Sequence, residues 1–116
     1  MQYEKDIKVR TQKFAVRIIK LCAEFRKGNV DFALIRQILR SGTSVGANVR
    51  EAKASSTKKE LIRFYEIALR SANETEYWMD IIKEGFEIKS ERMEEDKKEL
   101  IEITKVFATI IINLKK

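Results

Sequence analysis

Hydrophobic side chains recur along this chain at intervals of three and four residues, the spacing of one helical face, in four successive runs. In the first run Ile7, Phe14, Ile18, Leu21 and Phe25 fall on one side, with Cys22 beside them. The pattern predicts a helix that stops at Gly28, that glycine taking the left-handed conformation after Arg26 and Lys27. A second run, with Asp31 as its cap, turns Ile35, Ile38, Leu39, Gly42, Val45, Val49 and Ala52 inward. The segment ASSTKKEL breaks the pattern, and Thr57 and Glu60 stand at the spacing of a capping box. The third run places Leu61, Phe64, Tyr65, Ala68, Ala72, Thr75, Met79 and Ile82 inward and stops near Gly85. Ser90 can cap the fourth, in which Met93, Leu100, Ile103, Phe107, Ile110, Ile111 and Leu114 form the stripe. Acidic residues open this helix and Lys115 and Lys116 close it, each sign where the helix dipole favours it.

The four runs are similar in length, roughly 35–40 Å each at a rise of about 1.5 Å per residue. Rods of equal length with short connections pack as antiparallel neighbours. The expected fold is therefore all-α, an up-down-up-down four-helix bundle formed by residues 1–116 as one domain. The absence of proline leaves nothing to interrupt the helices.

One stretch strains this pattern. ILRSGTSVGANVREA, residues 38–52, carries two glycines, Gly42 and Gly46, amid serine and threonine. A phosphate-binding loop of the GxxxxGK[ST] type needs a lysine after its second glycine and a strand before its first; this chain has neither. The apolar phase also continues unbroken from Ile35 to Ala52, so the stretch reads as helix. Each interior glycine costs about 1 kcal/mol relative to alanine, and close helix packing at Gly42 and Gly46 would offset that. The surface they approach is either another helix of the same chain or a neighbouring subunit or ligand. Ser41, Ser44, Asn48 and Glu51 form a polar strip alongside, either solvated or a buried network that fixes helix register.

Composition narrows the chemistry. There is no histidine and only one cysteine, which removes the commonest metal ligand, the neutral-pH proton shuttle, zinc cysteine clusters and any intrachain disulfide. Without histidine, Cys22 has no obvious activating base and reads as a small core residue. Glu95 and Glu99 have the spacing of helical metal ligands, but Lys97 and Lys98 stand between them and no Glu-x-x-His accompanies them. The acidic first half of the fourth helix is expected to be a solvated face with Glu94 pairing to Lys98. No catalytic residue, metal site or cofactor is indicated, and the expected protein is not an enzyme. Neither a signal-type apolar start nor an 18-residue apolar run is present, so a cytoplasmic location is expected.

The net charge of +6 is concentrated early: residues 1–30 hold eight basic and three acidic side chains. Arg10, Lys13, Arg17, Lys20 and Lys27 line the side of the first helix opposite its apolar stripe, and Arg36, Arg40 and Arg50 do so on the second. Such rows can follow a phosphate backbone, with binding that weakens as salt rises. Lys13, Arg17, Lys20, Arg36, Arg40 and Arg50 are the candidate nucleic-acid contacts, though the same rows also solubilise bundles. The rows have no interleaved aromatic side chains for stacking on bases. On the third helix, Ile67, Trp78 and Ile81 lie off the inner stripe, near Arg63, Arg70, Glu74 and Tyr77, and are the candidate oligomer contacts. The alternative places Trp78 between the third and fourth helices.

LRSGTSVGANVREA (residues 39–52), IAL (67–69) and ETEYW (74–78), with their spacing and the basic first helix, resemble the bacterial 23S rRNA intervening-sequence proteins over nearly the whole chain. The resemblance implies a left-handed bundle that assembles into a homo-oligomeric ring, a pentamer. It also implies that genes of this kind can lie in insertions within large-subunit rRNA genes, and that a related branch assists the reverse transcriptases of diversity-generating retroelements. Together the readings point to a protein that self-associates and binds nucleic acid, above all structured RNA. The alternative is a scaffold whose ring docks a protein partner and touches no nucleic acid.

Overall fold

Three short polar side chains decide where three of the helices begin. Asp31 Oδ1 accepts from the Ala33 N–H at 2.8 Å, Thr57 Oγ1 from Glu60 at 3.1 Å, and Ser90 Oγ from Met93 at 3.1 Å. Each replaces a partner that the first helical turn lacks and contributes about 1 kcal/mol. The Ser56 N–H donates to Glu60 Oε1 at 3.4 Å, so the reciprocal bond comes from one residue before the position a capping box would use. In this computed structural model, which describes the backbone of residues 2–116 and the side chains of residues 7–116, the helices are α1 (Gln2–Lys27), α2 (Phe32–Ala54), α3 (Lys58–Gly85) and α4 (Glu91–Leu114).

The ends of α1 and α3 correct one expectation. Gly28 does not take the left-handed conformation; Asn29 does, with φ 63°, and after α3 that role falls to Glu87, with φ 52°. After α1, the Val30 N–H reaches the Phe25 carbonyl at 3.1 Å, and the Val30 and Phe25 side chains are both buried. After α3, Ile88 donates to Lys83 in the same way. These are Schellman closures shifted one residue beyond Gly28, so that the hydrophobic clasp can form between Val30 and Phe25. Asparagine tolerates that backbone through local hydrogen bonding, which is why glycine is not required.

The buried side chains of all four helices form one hydrophobic cluster, from Ile7, Phe14, Ile18 and Phe25 to Leu100, Ile103 and Phe107. The expected inner faces are the buried ones, except that Leu39, Leu61, Phe64 and Leu114 pack only at the cluster's margin. The molecule is a four-helix bundle measuring 45 × 21 × 20 Å. Each helix packs on two others, α1 on α2 and α4, and α3 on α2 and α4. Along α1 and α2, Thr11 meets Gly46, Ile18 meets Gly42, and Cys22 Sγ lies 3.9 Å from the Ile35 carbonyl oxygen. Along α1 and α4, Arg10 meets Glu99, Arg17 meets Asp96, and Glu24 meets Ser90. In both pairs the numbers rise on one helix as they fall on the other. Among the described residues, no helix is long and apolar enough to cross a membrane.

The glycine stretch is helix throughout, and its small residues face another helix of the same chain. A β-carbon at Gly42 would lie 2.8 and 2.9 Å from the two γ-carbons of Ile18, and one at Gly46 would lie 3.1 Å from the Thr11 carbonyl oxygen. Ile18 is branched at Cβ and fully buried, so it cannot swing away. The polar strip divides. Ser41 is buried, its hydroxyl 2.9 Å from that of Thr75 on α3. Ser44 and Asn48 bond back to the carbonyls of Arg40 and Ser44 at 2.7 and 2.8 Å, and Glu51 is exposed. The buried-network reading therefore holds for Ser41 alone.

Gly42→Ala should lower stability by about 1–3 kcal/mol, because overpacking against Ile18 outweighs the gain of about 1 kcal/mol in helix propensity. Urea unfolding followed by circular dichroism measures it, and a variant as stable as wild type would contradict the close contact.

Candidate nucleic-acid interface and subunit surface

The basic rows of α1 and α2 separate into cations that are already paired and cations that are not. Arg10 donates from Nε and Nη2 to both oxygens of Glu99, at 2.7 and 2.8 Å. That bidentate bond holds the Glu99 carboxyl below the usual carboxylate range and raises Arg10. Arg17 sits 3.7 Å from Asp96. Arg40 bonds to Gln37 at 2.9 Å and forms an ion pair with Glu74 of α3. Arg50 reaches Gln12 of α1 at 2.8 Å. Lys13 and Lys20 are exposed and have no ion pair among the described residues, and Arg36 has no carboxylate partner among them. The six candidate contacts thus do not form one uniform patch. Arg17 turns toward α4, Arg40 toward α3, and Lys13, Lys20 and Arg36 keep their charge free for an external anion.

One aromatic does stand among the cations, contrary to the sequence reading. Phe32, at the start of α2, lies beneath the guanidinium groups of Arg26 and Arg36. Its break with the inner phase of α2 and the arginine four residues on were the signals in the sequence; the approach of Arg26 depends on the turn between α1 and α2.

The acidic half of α4 is also not a uniformly solvated face. Glu94 pairs with Lys83 of α3 at 2.6 Å rather than with Lys98, which instead lies 3.6 Å from Glu95. Lys97 pairs with Asp80 of α3. Glu99 is engaged by Arg10, so it and Glu95 do not join as metal ligands. Among the described residues no group of three or more potential ligands converges. Asp96 is 3% exposed, and its Oδ2 has no hydrogen-bond partner among the described residues. It borders an open depression of about 420 Å³ with Arg17, Glu91, Arg92 and Glu95. Burial pushes its pKa up to about 6, against the opposing pull of Arg17 and Arg92. Burial likewise raises the Cys22 thiol, which suits a core position.

On α3, Trp78 is half-buried at the margin of the core, and its indole N–H donates to Glu74 Oε2 at 3.1 Å. Glu74 also holds Arg40, so Trp78 lies on the edge toward α2, not between α3 and α4. Burial would raise the Glu74 carboxyl, but the bonds from Trp78 and Arg40 outweigh it and keep the group below its ordinary range. Ile67 and Ile81 are half-buried and stand outside the set of side chains packed on the core. Tyr77 is 56% exposed and meets Trp78 edge-on at 5.2 Å between ring centroids. Apolar surface also remains on α1, at Val9, Val16 and Ile19.

These features define an all-α four-helix bundle with paired charges between helices, unpaired cations on α1 and α2, and apolar groups left on α3. The chain belongs to the family of 23S rRNA-intervening sequence proteins, whose pattern it matches over residues 4–109. It is similar to a crystal structure of a protein with unknown function from the S23 ribosomal protein family of Bacteroides thetaiotaomicron VPI-5482. The two are 38% identical, with a TM-score of 0.88, over 94% of this chain and 97% of that one. No curated protein matches this chain.

The fold prefers Asp96 as the neutral acid, because its folded-state value of about 6 lies above the ordinary 3.8. Its contribution is complete below about pH 4 and is lost as pH rises through 6. Asp96→Asn should therefore stabilise the protein by about 1–3 kcal/mol at neutral pH and by nothing near pH 4. Denaturant unfolding at the two pH values tests this; equal effects at both would contradict it.

Proposed function

We propose that this chain is a non-enzymatic, cytoplasmic protein that self-associates and binds structured RNA through the outer surface of α1 and α2. The observation that carries this reading is that Lys13, Lys20 and Arg36, on the two helices that hold the positive surplus, have no carboxylate partner among the described residues. Phosphates would satisfy them, and the chain's family is named for an intervening sequence of 23S rRNA. Arg17, Arg40 and Arg50 border this surface and reinforce its potential, though each already has a partner in the fold.

The reversed order of cross-helix pairs supports an antiparallel up-down-up-down course, and the family resemblance adds a left-handed turn and a pentameric ring. For self-association the support is Ile67 and Ile81, left outside the core beside Trp78 and the exposed Tyr77. Aromatic side chains next to aliphatic ones and an arginine are typical anchors of subunit contacts. The same surface favours the second reading, a scaffold that docks a protein partner.

A titration with a structured rRNA fragment across a salt series tests the RNA reading. Affinity should fall steeply as salt rises, and Lys13→Ala with Lys20→Ala should lower the slope of log K against log salt by about one per lost phosphate contact. Absence of binding at low salt would favour the scaffold. In light scattering, wild type should form an oligomer that Ile67→Asp with Ile81→Asp dissociates into folded monomers. A wild-type monomer at high concentration would end the assembly reading.

A further inference from the structure

The first residue of α2, just after the turn from α1, carries an exposed aromatic ring with no evident structural duty. Its neighbours meet the needs of the turn: Val30 packs into the core, and Asp31 caps α2 through the Ala33 N–H. Phe32 remains 57% exposed, so its burial adds little to stability. Two cations nonetheless converge on it. The guanidinium carbon of Arg26, from the last turn of α1, lies 5.9 Å from the ring centroid, and that of Arg36, one turn along α2, lies 5.4 Å away. Each contact is favourable, but the two like charges repel, and neither arginine has a carboxylate partner among the described residues. An anion would relieve that repulsion, and a flat ligand would cover the ring.

A nucleotide offers both. Aromatic rings and guanidinium planes are the two kinds of side-chain surface on which unpaired bases stack, while the same arginines bind the flanking phosphates. A base inside a duplex is already stacked on both faces and cannot reach a ring on a turn. We propose that Phe32, with Arg26 and Arg36, forms a stacking platform for one unpaired nucleobase of a single-stranded loop, bulge or end. This rests on the RNA reading above and narrows it, because the cation rows alone would hold a duplex as well.

Fluorescence anisotropy at low ionic strength provides the test, with a labelled single-stranded oligouridylate and a blunt RNA duplex of the same length as probes. Wild type should bind the single strand more tightly than the duplex. Phe32→Ala should weaken single-strand binding by roughly 5- to 150-fold, the range for loss of one stacked base, and leave duplex binding unchanged. Phe32→Trp should retain single-strand affinity. Circular dichroism should show the fold of Phe32→Ala intact, since the side chain lies outside the core. Unchanged single-strand affinity in Phe32→Ala, equal losses on both probes, or loss in Phe32→Trp would each overturn the platform while leaving phosphate tracking by the basic rows standing. Failure of wild type to bind either probe would remove both.

Discussion

The distance between α1 and α2 at Gly42 and Gly46 sets the geometry of the whole bundle. With no side chain at either position, α2 lies directly against Ile18 and the backbone of Thr11. That approach fixes the rotation of α2. Its Ile38, Val45 and Val49 then point into the common core, Ser41 reaches Thr75 of α3, and Arg36 and Arg50 stay outside. Cores are packed too tightly for such a contact to shift without moving every neighbour. The two glycines are tolerated in the helix because the packing they permit offsets their conformational cost of about 1 kcal/mol each.

With the helices so placed, part of the charge is settled between them. Arg10–Glu99, Lys97–Asp80, Lys83–Glu94 and Lys115–Glu66 each join two helices, and Arg40–Glu74 joins α2 to α3. Exposed pairs of this kind contribute little individually, about 0–1 kcal/mol. Their larger effect is to decide which cations remain for a partner. A chain with a surplus of six positive charges presents fewer usable ones than its sequence suggests, and Lys13, Lys20 and Arg36, on α1 and α2, are among those without an ion pair among the described residues. Asp96 is the exception on the acidic side: it is buried, Arg17 comes only to 3.7 Å from Oδ1, and Oδ2 has no hydrogen-bond partner among the described residues.

Helix positions and inner faces were legible in the sequence because they depend on short-range rules. A cap and its recipient are two or three residues apart, and an apolar stripe repeats every turn. Whether the patch at Gly42 and Gly46 faced its own chain was not legible, since that depends on which helix α1 abuts. The misplaced left-handed residue has the same origin: Gly28 satisfies the local rule, but the packing of Val30 on Phe25 moves the closure to Asn29. Interhelical partners were hidden for a related reason. Lys98 stands one helical turn from Glu94, the spacing of a pair within a helix, but Lys83 of α3 is the cation that reaches it. Arg26 and Phe32 meet only because a tight turn folds the end of α1 back beside the start of α2.

The close approach of α2 to α1 can be measured without reference to function, through a double-mutant cycle between Gly42→Ala and Ile18→Ala. Removing the γ-carbons of Ile18 makes room for the new methyl group. In the Ile18→Ala background Gly42→Ala should therefore become neutral or stabilising, giving a coupling energy above about 1 kcal/mol. Additive effects of the two substitutions would mean that Gly42 does not bear on Ile18, and the packing that organises the bundle would have to lie elsewhere.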